Sequence, residues 1–257
     1  YNVAVGADAL SANTTASYQT AVGHHVLKVA TGQRNTAIGY KAGTAITTGE
    51  DNVAVGRQAL EAHTTGSYNT AVGGVALFTI TTASNNCAFG CGSLEDNTTG
   101  DRNVAVGQNA LANNTTAGDN VAVGKDTLTA NTTGDRNVAV GSYSLDANTT
   151  GDRNVAVGYG ALTALNASGD LYNVAIGYES LTALTTGTYN SALGYASLYA
   201  CTTASYNTAF GDSALAANTT GAYNTAVGSR ALDANTVSNQ TAVGYDALGA
   251  NTTGANN

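Results

Sequence analysis

Residues 100–107 read GDRNVAVG, and the same eight residues return at 134–141 and at 151–158. Looser versions run through the rest of the chain, among them SYNTAVG at 67–73, SNNCAFG at 84–90 and LYNVAIG at 171–177. With the closing glycine as a marker (Gly6, Gly23, Gly39, Gly56, Gly73, Gly90, Gly107, Gly124, Gly141, Gly158, Gly177, Gly194, Gly211, Gly228, Gly244), the spacing is 17 residues except for two steps of 16 and one of 19. Fifteen copies of one unit, N-x-A-V-G-x-x-A-L-x-A-N-T-T-G-x-x, therefore cover residues 1–257 without a linker. A unit this short cannot hold a helix pair. Its β-branched residues and regular glycines predict one coil of a parallel β-solenoid, an all-β fold forming a single repeat domain.

Composition agrees with that reading. The 257 residues include no Pro, Met or Trp and only three Phe. A chain without Pro can donate backbone hydrogen bonds almost everywhere, as a continuous ladder requires. The lack of Met also implies that Tyr1 is not the natural start and that the chain is expected to be a fragment of a longer protein.

The net charge of −8 argues against a nucleic-acid partner, and no apolar run approaches the roughly 20 residues of a membrane-spanning helix. Cys87, Cys91 and Cys201 form neither a disulfide framework nor a zinc spacing. His24, His25 and His63 read as surface residues, so neither a metal nor a cofactor is expected. GCGSLE at 90–95 and GYGALT at 158–163 lack the third glycine and the helix of a dinucleotide fingerprint and read as solenoid corners. The acidic residues are scattered without a recurrent inward pair, which gives no catalytic site and no enzyme.

Alternation assigns faces. The residue before the marker is Val ten times and otherwise Ile38, Ile176, Leu193, Phe89 or Phe210, never polar. Two residues earlier stand seven Val, six Thr, Cys87 and Ser191, and Leu follows the marker at the fourth position in fourteen of fifteen coils. These rows are expected to fill the coil. The opposite strand face carries Ala in all fifteen coils and, two residues before it, Asn in thirteen, with Gln19 and Gln240 in the others. Stacked about 4.8 Å apart, the Asn amides can bond along a ladder. An unvarying Ala is expected where another surface comes close, and a second copy of the chain is the surface available. Ala105, Ala122, Ala139 and Ala156, with Asn103, Asn120, Asn137 and Asn154, are thus expected to pack chain against chain.

The NTT sequons, such as Asn97, Asn114, Asn131 and Asn148, fall too close together in a stack for a glycan on each, and read as a structural turn whose Thr row bonds neighbouring backbone. Asp101/Arg102, Asp135/Arg136 and Asp152/Arg153 are expected to form a surface charge row of small energetic weight. Tyr172, Tyr189, Tyr206 and Tyr223 precede Asn in consecutive coils, and Tyr159, Tyr178 and Tyr195 follow the marker. Both rows read first as lateral packing and second as a ligand face for a surface glycan.

The NxAVG segment with its obligatory glycine resembles the head repeat of trimeric autotransporter adhesins. The longer form with AL and NTTG resembles repeats of bacteriophage tail fibres and related bacterial surface fibres. The resemblance covers the whole chain. It implies a left-handed β-roll with three chains side by side, placed outside the cell, on its surface or on a virion tail, where it attaches to a glycan or protein receptor and inserts into no membrane. The sequence departs from the adhesin heads in its 17-residue period and in having no coiled-coil stalk, anchor or self-cleaving chaperone. The alternative is a purely structural extracellular filament whose coils continue from molecule to molecule.

Overall fold

The computed structural model describes residues 1–254. The chain is a parallel β-solenoid of about 14 turns with no helix among the described residues. It divides into two compact units, Tyr1–Thr133 and Gly134–Asn257.

The first unit holds eight three-residue strands, β1 (Val3–Val5), β2 (Thr20–Val22), β3 (Thr36–Ile38), β4 (Val53–Val55), β5 (Thr70–Val72), β6 (Cys87–Phe89), β7 (Val104–Val106) and β8 (Val121–Val123). Each pairs in parallel with the next, Ala on Ala, as in Ala88 on Ala105 and Ala105 on Ala122. The second unit repeats the arrangement with β9 (Val138–Val140), β11 (Val155–Val157), β13 (Val174–Ile176), β14 (Ser191–Leu193), β15 (Thr208–Phe210), β16 (Thr225–Val227) and β17 (Thr241–Val243). A minor pair, β10 (Gly151–Asp152) with β12 (Gly169–Asp170), lies at another corner of the coil.

Rung-to-rung bonding continues beyond the strands. Leu60 N–H donates to Ala76 O at 3.1 Å, and Thr47 N–H donates to Thr64 O at 2.8 Å. Nearly every part of the coil thus contributes backbone donors, which is why Pro has no place in it.

The marker glycine is fixed by close approach. Gly107 has φ +133°, and a Cβ built there would lie 2.3 Å from Gly124 O in the next coil. Three further corners of the coil are left-handed at residues other than glycine: two after the marker, where the fourth-position Leu has φ near +50° (Leu111, +53°), and the one two places before the strand (Arg102, +58°). Each costs on the order of 1–2 kcal/mol for an L-residue, so the stacking bonds must hold them there.

The interior reverses the face assignment drawn from alternation. Ala105, Ala122, Ala139 and Ala156 are 0% exposed within the single chain, and so are Asn103, Asn120, Asn137 and Asn154. These side chains point into the coil with the fourth-position Leu, and they make no chain-to-chain surface. The Val, Thr, Ile and Phe on either side of each Ala point outward, half-buried or exposed. The physical reason is the narrowness of the coil. The strand wall and the Leu-bearing wall close so tightly that a methyl group fits between them where an isopropyl group would not, and polar Asn is admitted because its amide is fully bonded.

Differences in coil length fall at one corner. The two 16-residue coils lack a Thr of the TT pair, at Thr31–Gly32 and Thr236–Val237. The 19-residue coil carries its extra residues between Leu165 and Leu171, with both of those leucines buried.

Candidate functional site

Inside the first unit an amide column runs from coil to coil. Asn103 Nδ2 donates to Asn86 Oδ1 at 3.2 Å and to Ala117 O at 2.8 Å, and Asn103 N–H donates to Asn86 Oδ1 at 2.9 Å. Asn120 N–H donates to Asn103 Oδ1 at 3.1 Å. The second unit repeats this from Asn154, whose N–H donates to Asn137 Oδ1 at 2.9 Å, to Asn224. These residues hold the coils in register and are not offered to a ligand.

The NTT asparagines form a second buried column. Asn97 Nδ2 donates to Gly100 O at 2.9 Å, while Gly100 N–H donates back to Asn97 Oδ1 at 3.1 Å, closing the turn with a side chain in the manner of an Asx turn. The hydroxyl of the following Thr bonds the next coil, as Thr98 Oγ1 does to Thr115 O at 2.8 Å. Asn97, Asn114, Asn131, Asn148 and Asn218 are buried, so no glycan can reach them in the folded chain. Asn166, of the N-A-S sequon, is exposed in the long coil.

Histidine needs a correction. His24 is exposed and His25 half-buried, but His63 is 0% exposed, standing where other coils place the turn asparagine. It reproduces the asparagine contact, with its Nε2 2.7 Å from Gly66 O, and burial holds its pKa below the ordinary value while that contact opposes the shift. Cys201 occupies the same interior column, and burial pushes its thiol up to about 11.

The outer surface carries two features. The first is the outward strand face, where the position before the marker stays apolar although solvent reaches it: Phe89 is 52% exposed, Leu193 47% and Phe210 43%. The sequence shows a row that is never polar and is expected inside, but in the structure it faces out.

The second feature is the tyrosines, which stand at the two ends of the strands. Tyr172, Tyr189, Tyr206 and Tyr223 stack with centroids 5.1, 5.1 and 5.0 Å apart, and Arg153 caps the row with its guanidinium 5.5 Å from the Tyr172 ring. Tyr159, Tyr178 and Tyr195 stack at 5.3 and 5.7 Å, and Glu179 raises the Tyr178 phenol by its charge. In rows this close, the inner rings turn their faces to one another. A sugar would meet mainly hydroxyls and ring edges, so the geometry favours lateral packing over a stacking platform.

The charge row forms between coils. Arg102 clasps Asp119 through Nε at 2.6 Å and Nη2 at 3.0 Å, Arg34 clasps Asp51 at 2.7 and 2.9 Å, and Arg153 pairs with Asp170. Hydrogen bonds from Arg34 hold the Asp51 carboxyl below its usual value. No helix among the described residues is long and apolar enough to cross a membrane. Neither a protein-family model nor a curated protein matches the chain.

Proposed function

We propose that this chain is a segment of a non-catalytic extracellular attachment fibre, on a cell surface or a virion tail, in which three copies lie side by side through their outward strand faces. The observation that carries the reading is the never-polar row before the marker glycine, apolar in fifteen coils although exposed in nine of them and half-buried in the other six. An exposed row free to drift would acquire Thr, Lys or Glu, and a stripe of this kind marks an interaction surface.

A second copy suits the stripe because it presents ridges at the same spacing of about 4.8 Å. Three copies, and attachment to a glycan or protein receptor as the task, come from the resemblance to adhesin heads and tail fibres.

Light scattering on the purified chain tests the assembly: the expected mass is three times 25.6 kDa. Charged substitutions on the stripe, Phe89→Glu with Phe210→Glu, should give a folded monomer, since both side chains are already exposed. Cys87, half-buried on the same face, should form a disulfide between copies under mild oxidation. A wild-type monomer refutes the assembly. Saturable binding of the assembled chain to intact cells tests attachment, whereas end-to-end polymers without binding favour the structural filament.

A further inference from the structure

Asp8, His24 and His25 are the only group of three metal-ligating side chains that converge among the described residues, and their ligand atoms all lie within 4.8 Å of one another. We propose that they form a site for a divalent transition cation of the zinc, nickel or copper type. The fold brings them together by its period. Asp8 and His25 are 17 residues apart, hence at one position of successive coils. Both take left-handed backbone, φ +57° and +59°, at the corner after the marker glycine. His24 is the neighbouring residue, and at this corner its ring lies beside that of His25, with centroids 3.9 Å apart, instead of on the opposite face as it would in a strand.

The chemistry of the donors selects the ion. His25 Nε2 is already 3.0 Å from Asp8 Oδ2. Two imidazoles and one carboxylate suit borderline transition ions, whereas Mg²⁺ and Ca²⁺ take oxygen ligands. Ligands bound at about 2.0–2.2 Å sit roughly 3.3 Å from each other in a tetrahedral site, so the rings must unstack by rotation of exposed side chains. Three protein ligands leave a position open to water.

The nearby positive charge does not oppose this. Lys41 follows His25 in the same column, but its Nζ is drawn 3.0 Å from Glu61 Oε1 in the coil beyond. Tyr40 stacks on His24 at 5.7 Å.

Calorimetric titration of the intact chain with Zn²⁺ at pH 7.5 tests the site, with Mg²⁺ and Ca²⁺ run alongside. The expected result is a saturable heat corresponding to about one Zn²⁺ per chain, and no heat from the other two ions. Asp8→Asn, which keeps the shape of the carboxylate without its charge, and His24→Gln should each weaken binding at least about tenfold, as loss of even an outer-shell partner does. His63→Asn should leave binding unchanged. Circular dichroism verifies that the variants stay folded, as expected of changes at this solvent-reached corner. Absence of saturable Zn²⁺ binding overturns the proposal. So does an Asp8→Asn variant that binds as the wild type does, because the histidine pair alone would then account for the affinity.

Discussion

Truncating Asn103 to Ala should show how much of the stability lies in the amide column. The substitution removes two donated bonds, to Asn86 Oδ1 and Ala117 O, and one accepted bond from Asn120 N–H. The two acceptors keep other partners: Asn103 N–H still reaches Asn86 Oδ1, and Asn114 Nδ2 still reaches Ala117 O at 3.0 Å. Their losses are ordinary hydrogen bonds, about 0.5–1.5 kcal/mol each. Asn120 N–H loses its bond to Asn103 inside the coil, at a desolvation cost of about 1–3 kcal/mol. The sum is about 2–6 kcal/mol, read as a fall in urea midpoint by circular dichroism. Asn113→Ala in the same coil is the control. Its side chain is exposed, and its removal should change stability by no more than about 0.5 kcal/mol. If Asn103→Ala is as mild as Asn113→Ala, the column does not hold the coils together and the account of the interior given above fails.

His63→Asn should stabilise the chain in acid. Above about pH 6.5 the imidazole is neutral both folded and unfolded. As pH falls below that value, the unfolded chain takes up a proton that the buried ring refuses, so stability declines until the lowered folded pKa is passed and then levels off. The measurement is the urea midpoint of both proteins at pH 7.5 and pH 5, and an identical pH slope in the two would refute it. Gly107→Ala places a methyl group 2.3 Å from backbone of the next coil at φ +133°, with no side chain able to yield. It should cost more than about 3 kcal/mol and remove hydrogen-exchange protection around β7 and β8, whereas a wild-type exchange pattern would contradict the close approach.

The period, the parallel stacking and the inward Leu row were legible in the sequence because they need only counting. The turn role of the NTT asparagines was legible too, since stacked sequons cannot all be modified. The choice between the two strand faces was not. Alternation separates Ala105 from Val104 and Val106 but does not say which set is inside, and side-chain size misleads where the coil is too thin for Val. The better guide was the constancy of Ala and Asn together, because a methyl and a fully bonded amide are what a narrow interior admits. The site at Asp8, His24 and His25 becomes visible only when residues are compared at an offset of 17. His63 was hidden because histidine in the asparagine column looks like a surface exception until its contact with Gly66 is seen.

Shortened and lengthened coils alike change at the corner that carries the TT pair, and the strands on either side keep their Ala-on-Ala pairing. In the long coil, a Cβ added at Gly169 would meet nothing within 4 Å. That corner is where the molecule accepts editing: a foreign peptide spliced into the long coil would be displayed at one defined place on a scaffold whose strands keep their register.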